Sequence, residues 1–489
     1  MNRRGFLKSA GASAAAFNIV PKHVLGGSGQ IAPSDELTVA LIGCGTQGLR
    51  ELAGMLAMPE VRVVAVCDPN KDSDDYVDWS RDGLRKSIGH AIGKPEWRAG
   101  QAIPGGRDVG AEIVDLYYAD KRSADKGKAC AKYADFRELL EKEKGLDAVK
   151  IMTPDHLHGP IAIAAMKAGK HVLLHKPLAN RIKEVRLVIE TARQTKVATH
   201  FIPAGFGADV SISAQLIRGG AIGKLLEIHN WSNRPVWPQY ATLPADAPPV
   251  PEGFDWDLWL GPSVGRPYHP HYTHAVFRGW YEFGGGAIAD MGHYSLWRVF
   301  SEFDLDAPVL VESTPSHVCA LRDNVSVKIT NDYSFPAAST IRFKFAAKES
   351  RPALDLFWYD GGMRPRTPEE LENTNAELPA EGMMFVGDRG KILAEFQGQN
   401  PRLLSGEKKN EWPAAKQVNA DWVKAFKGGA PTGGNFLLAG PISEAFNLGA
   451  ISLRLGGKRL LWDSLNMKIT NLPNTDNYLT REYRKGWEI

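Results

Sequence analysis

Apolar positions along the chain follow two periods in alternation. Leu37-Thr-Val-Ala-Leu-Ile42 is a short, β-branched apolar run, the pattern of a parallel strand buried on both faces. It leads into Gly43-Cys44-Gly45-Thr46-Gln47-Gly48, after which apolar residues recur at helical spacing through Leu49, Leu52, Met55 and Leu56. A second apolar run, Val61–Cys67, ends at Asp68. The alternation resumes with a helix around Phe136–Lys144 and a strand over Asp147–Met152. A helix over Pro160–Ala168, capped by Gly169, and a strand over His171–Leu174 complete it. Strand and helix in turn predict a doubly wound parallel sheet. Residues 69–132 form a long insertion by the standard of strand-to-helix connections, and no chemistry is legible in them. Beyond Pro308, Val325–Ile329 and Ser339–Phe345 read as strands of a second sheet.

The glycine loop carries the first chemical signal. Strand, G-x-G-x-x-G, helix and strand are followed by an acid, Asp68, placed 20 residues beyond Gly48. Gly43 permits the tight turn, Gly45 lets backbone N–H groups reach a pyrophosphate, and Gly48 lets helix and strand pack closely. Asp68 can accept hydrogen bonds from ribose hydroxyls and its charge repels a 2′-phosphate. The expected cofactor is therefore NAD, in preference to NADP.

Composition narrows the class. The 489 residues carry a net charge of +3, too near neutral to argue for a nucleic-acid partner. No apolar stretch approaches the roughly 20 residues of a membrane span, so no membrane anchor is expected. The four cysteines are scattered without a CxxC, so neither a disulfide framework nor a metal site is expected. The first residues, Asn2-Arg-Arg-Gly-Phe-Leu-Lys8 followed by a small, weakly apolar run, resemble a twin-arginine export signal. Residues 1–34 are accordingly expected to be signal and linker, and the mature protein periplasmic or otherwise exported.

Further motifs resemble the glucose–fructose oxidoreductase / inositol dehydrogenase (Gfo/Idh/MocA) family, in its exported twin-arginine branch. They are Gly43-x-Gly45-x-x-Gly48, Thr153-Pro154-Asp155-x-x-His158, Ala168-Gly169-Lys170-His171-Val172 and Lys176-Pro177, then Asn233-Arg234-Pro235, Phe254–Pro262 and Gly284–Gly292. The resemblance implies an NAD-binding Rossmann domain over 35–178. It also implies a substrate-binding and oligomerisation domain over 179–489, an α+β unit with an open, largely antiparallel sheet. Gly387-Asp-Arg-Gly390 resembles a hairpin of that sheet. A homo-oligomer through the sheet's exposed face is implied as well.

By the same resemblance, a sugar lies between the domains against the nicotinamide. Lys176 leaves a parallel strand at the end where such sheets bind ligands, and a lysine of lowered pKa can assist loss of a hydroxyl proton. Asp290, His293 and Tyr294 come after Gly284-Gly-Gly286 at i, i+3 and i+4, so on a helix they share a face. Asp290 is expected to orient substrate and Tyr294 to act as acid or base, with His293 second. Thr46, Gln47, Thr153, Pro154, His158, His175 and Lys176 join the glycines and Asp68 as expected cofactor contacts. The family usually has Glu where this chain has His175, which leaves that position's role open. Arg278 and Trp280, with Tyr268-His-Pro-His271-Tyr-Thr-His274, read as a carbohydrate wall. The function implied is NAD-dependent oxidation or reduction of a secondary hydroxyl of a sugar or glycoside, with carbon 3 a candidate position. Two alternatives stand beside it: a glycosidase working through transient oxidation and elimination, and a non-catalytic NAD-binding scaffold.

Overall fold

The structure, a computed structural model, describes residues 35–122, 129–205, 209–405 and 422–489, so the expected signal and linker lie outside the described residues. Six strands form the first sheet: β1 (Leu37–Ile42), β2 (Val61–Cys67), β3 (Ala131–Tyr133), β4 (Ala148–Ile151), β5 (His171–Leu174) and β6 (Thr199–Phe201). All pairs are parallel and the order is β3-β2-β1-β4-β5-β6. The chain therefore builds outward from β1 in one direction and then from β4 in the other. Ligand clefts in open α/β sheets lie where the order reverses, beyond the strands' C-terminal ends.

The helices on this sheet are α1 (Thr46–Leu56), α2 (Gly83–Ala91), α3 (Arg107–Lys121), α4 (Phe136–Lys142), α5 (Asp155–Lys167) and α6 (Ile182–Thr195). α5 begins a turn before its expected start, with Pro160 inside it. The helix is buried almost all round, so no polar face marks where it begins. The domain boundary also differs from the expected 178. Val172 pairs with Thr199 and Leu174 with Phe201, so α6 and β6 extend the first domain through Phe201. A strand of three residues is too short to show a period.

The second sheet holds nine strands. They are β7 (Leu225–Trp231), β8 (Leu310–Pro315), β11 (Ser339–Phe345), β12 (Leu354–Tyr359), β13 (Gly382–Gly387), β14 (Lys391–Ala394), β15 (Arg402–Leu403), β16 (Leu460–Asp463) and β17 (Lys468–Ile469). The order is β15-β14-β13-β7-β12-β11-β8-β16-β17, with only the β7–β12 pair parallel. The fold is thus the expected Rossmann sheet plus an open, largely antiparallel one. The Gly387–Gly390 turn does join two antiparallel strands. Val325–Lys328 (β10) does not join the main sheet. It pairs only with Cys319–Arg322 (β9), as a separate ribbon whose Leu321 is 78% exposed. Without a second layer, its alternating pattern has no core to face.

Two longer helices, α7 (His293–Glu302) and α8 (Gly440–Arg454), lie between the sheets. One hydrophobic core is continuous across both domains, joining Leu174 and Val185 to Ile288, Leu296, Phe343 and Phe446. The chain's end returns to the first domain, where Trp487 packs on Phe136 and lies 4.4 Å beneath the Arg137 guanidinium. No helix among the described residues is long and apolar enough to cross a membrane.

Candidate active site

A cleft of about 1270 Å³, its open mouth included, runs along the C-terminal ends of β1, β2, β4 and β5 to the second domain. Gly43, Gly45, Thr46, Gln47, Gly48 and Asp68 line one part of it. Thr153, Pro154, Asp155, His175, Lys176, Arg234, Arg278, Asp290 and Tyr294 line the rest. At Gly43 φ is +102°, and a Cβ there would stand 2.6 Å from the Met152 carbonyl carbon. A Cβ on Gly48 would stand 2.1 Å from the Gly43 oxygen, so α1 can approach the loop only without a side chain. Gly45, the N-cap of α1, offers no side chain to cap the helix's first N–H groups. Such a bare helix end suits an anion such as a pyrophosphate, and it lines the cleft. Asp68 Oδ2 accepts from Cys44 N–H at 2.7 Å and Oδ1 from Asn70 N–H at 2.8 Å. Burial raises its carboxyl and these two N–H groups oppose the rise. The residues present fit a dinucleotide.

Lys176 stands at the end of β5, and Asp290 on the turn before α7. Lys176 Nζ hydrogen-bonds Asp290 Oδ1, and Arg278 Nε reaches the same oxygen at 3.0 Å. Lys176 is 4% and Asp290 7% exposed, so the charges meet with little water between them. Burial draws the Lys176 ammonium below its ordinary range, against the pull of Asp290. Burial alone would raise Asp290, but Lys176, Arg278 and Arg234 outweigh it and hold the carboxylate low.

Beside this cluster, Tyr294 Oη and His175 Nε2 are 2.5 Å apart, and Lys176 Nζ lies 5.3 Å from the centre of the Tyr294 ring. Burial, with Lys176 adjacent, holds His175 well below its usual pKa, so the ring is neutral at pH 7. A neutral imidazole can accept the phenol proton or donate its own. The position that family resemblance left open is thus a hydrogen-bond partner for Tyr294.

The triple glycine has a packing reason. A Cβ on Gly284 would lie 2.6 Å from Arg278 Cα, and Gly285 N–H donates to Asp155 Oδ2 at 2.9 Å. The chain then makes a single wide π-type turn, Ile288–Gly292, which continues into α7. A π-type turn rotates less per residue than an α-turn, and such turns recur at functional sites. Here it brings i+4 but not i+3 onto the Asp290 face. Tyr294 lines the cleft and His293 does not.

His293 is fully buried against Phe201 and Phe446, with Nδ1 on the Ala289 carbonyl at 2.9 Å, so the expected substrate contact has no geometric support. His158, expected at the cofactor, instead joins two strand ends. Its Nδ1 meets the Pro177 carbonyl at 2.6 Å and its Nε2 the Thr153 carbonyl at 2.9 Å. Trp280, expected in a carbohydrate wall, is 1% exposed, and its indole N–H goes to the His271 carbonyl. Tyr268, Tyr272 and Phe283 pack with it as a local core. From that segment only His274, Ala275, Phe277 and Arg278 reach the cleft.

Some residues of the cleft escaped sequence reasoning. Asp155, at the first turn of α5, has its carboxyl pushed up to about 6 by burial, against Arg278 and Lys176. Arg234 was visible only as part of a motif. The insertion contributes Tyr76, Val77 and Trp79. Asp75 meets His274 Nε2 at 3.3 Å, and the rings of Tyr76 and His274 lie 4.0 Å apart, so the insertion touches the second domain beside the cleft. No local pattern could have announced that contact.

Fold and site together define a two-domain, dinucleotide-binding protein. A model described as an oxidoreductase family's NAD-binding Rossmann fold matches residues 88–201, and one described as that family's C-terminal alpha/beta domain matches 221–334. Over those residues the chain is similar to the Gfo/Idh/MocA family, and its first domain binds NAD. Among curated relatives, a glycosyl hydrolase family 109 protein of Shewanella baltica is 26% identical over 242 residues, and an alpha-N-acetylgalactosaminidase of Shewanella oneidensis 27%. Each alignment covers 46% of this chain, and the chain spans only 44% of either relative's length. Among solved structures, the WlbA dehydrogenase of Bordetella pertussis, in complex with NADH and UDP-GlcNAcA, superposes with a TM-score of 0.51 at 13% identity. That superposition covers 88% of this chain and 99% of the dehydrogenase, and shows a shared fold.

Proposed function

We propose that the protein oxidises or reduces a secondary hydroxyl of a sugar or glycoside with NAD, carbon 3 being the expected position. The observation that carries the reading is the buried Lys176–Asp290–Arg278 cluster, set in the same cleft as the glycine loop. Bound NAD supplies the hydride acceptor. Lys176, its ammonium destabilised by burial, would hold the substrate oxygen and take or return its proton. Asp290 would orient that lysine and accept from a neighbouring hydroxyl. Tyr294 and neutral His175 offer a second proton path beside Lys176. The same cleft is lined by Trp79, Phe254, Trp259 and Phe277, apolar faces of the kind that pack on sugar C–H groups.

A second reading uses the same parts for glycoside cleavage. Transient oxidation acidifies a neighbouring C–H, the aglycone leaves by elimination, water adds and the hydride returns. The names of the curated relatives favour it. Export by the twin-arginine route belongs to the proposal too, on the strength of the N-terminal arginine pair.

The test is to offer sugars and nitrophenyl glycosides to the full chain with NAD, following nicotinamide absorbance and nitrophenol release together. Net reduction without release supports the dehydrogenase, and release without net reduction the glycosidase. Silence in both assays, with NAD bound, would favour a scaffold.

A further inference from the structure

The charge in the substrate end of the cleft does not balance. Lys176 and Arg278 both direct their charge to one oxygen, Asp290 Oδ1. Asp155 is the other carboxylate there, already hydrogen-bonded by Gly285 N–H. Asp68 lies with the glycine loop and is held by two backbone N–H groups. The third cation, Arg234, has no carboxylate partner among the described residues. Among the described residues its side chain hydrogen-bonds a neutral oxygen alone, Asn233 Oδ1, at 2.6 Å.

Arg234 is also placed rather than loose. Its N–H donates to Ser232 Oγ at 3.3 Å, and its carbonyl accepts from Gly361 N–H at 2.5 Å. The side chain is half-buried, lines the cleft and lies close enough to help hold the Asp290 carboxylate low. Beside it, the Arg278 guanidinium is supported by the Phe277 ring, 4.6 Å from its centre. Arg278, which also lines the cleft, bonds Asp290 through Nε and the Ala275 carbonyl through Nη1, and its Nη2 has no hydrogen-bond partner among the described residues.

An uncharged sugar would bury this excess cation without an answer. A guanidinium is matched in shape and charge by a planar or tetrahedral oxyanion. We propose that the substrate is an acidic sugar, one bearing a carboxylate or a sulfate ester, and that Arg234, flanked by Arg278, binds that oxyanion and sets the specificity. This rests on the sugar-oxidoreductase reading and names its substrate class.

The test is calorimetric titration of the NAD-loaded full chain with matched sets of hexose, hexuronate and hexose 6-sulfate, in the gluco and galacto series. Steady-state assays on the same sugars accompany it. An acidic member is expected to bind roughly 10- to 100-fold tighter than its neutral parent, the range of a charge-assisted hydrogen-bond pair. Which acid shows the margin identifies carboxylate or sulfate. Arg234→Gln should abolish the margin and Arg234→Lys should keep part of it, appearing mainly in KM. Neutral hexoses binding as tightly as both acids, no acid binding at all, or a margin intact in Arg234→Gln would each overturn the proposal. Arg234-dependent acid binding with no redox or cleavage of any sugar would sink the oxidoreductase reading and leave this one standing. Turnover of neutral sugars without acid preference would do the reverse.

Discussion

Lys176 and Asp290 meet across the boundary between two domains, 114 residues apart in the chain, and form a buried ion pair that Arg278 shares. The lysine comes from the end of a Rossmann strand and the aspartate from the turn entering α7. Neither is placed for chemistry until the two sheets are packed together.

That sharing predicts an asymmetry between two variants. Lys176→Met leaves Asp290 paired with Arg278, so the fold should tolerate it while kcat/KM falls roughly 10²- to 10⁴-fold. Asp290→Asn leaves two buried cations facing each other with no carboxylate between them. Breaking a buried pair in this way costs about 3–5 kcal/mol, so this variant should lose more thermal stability than Lys176→Met. Thermal denaturation of both proteins checks the order.

His293 and Tyr294 should separate by readout. His293→Ala removes a core side chain and should cost about 2–4 kcal/mol in denaturant melts, with kcat per folded molecule little changed. Tyr294→Phe strands His175 Nε2 and should lower kcat about 10- to 100-fold with a smaller loss of stability, about 1–3 kcal/mol.

Asp155 predicts a pH dependence of known sign. Its carboxyl titrates near 6 in the fold against about 4 in an unfolded chain, so the native state binds the extra proton between those values. Asp155 therefore carries no penalty below pH 4, and one that grows until about pH 6 and is then constant. Asp155→Asn keeps an acceptor for Gly285 N–H and should be the more stable protein above pH 6, by ~2 kcal/mol. It should show no advantage at pH 4. Urea unfolding at the two pH values decides it.

Asp68 predicts cofactor choice. Its carboxylate braces the glycine loop through Cys44 N–H and stands where an adenosine ribose would reach it. Asp68→Asn should weaken NAD binding roughly tenfold and narrow the preference over NADP, read by fluorescence titration of both nucleotides. An unchanged ratio would show that another group excludes the 2′-phosphate.

Much of the fold was legible in the chain because its carriers are local. β1, the glycine loop, α1, β2 and Asp68 are contiguous, and their spacing is dictated by backbone geometry that only glycine permits at Gly43 and Gly48. Lys176 and Asp290 were readable because each sits beside a local landmark, a strand end and a glycine run. The rest depended on contacts that no period records. One π-type turn, not a propensity, selected Tyr294 over His293 and sent the histidine into the core. Burial on every side turned Trp280 and His158 from expected ligand contacts into structural ones. The partner of His175, the unbalanced charge of Arg234 and the reach of Tyr76 to His274 exist only because distant segments are packed together. Local geometry determined which cofactor the first domain holds, and the packing of the second domain decided which side chains line the cleft beyond it.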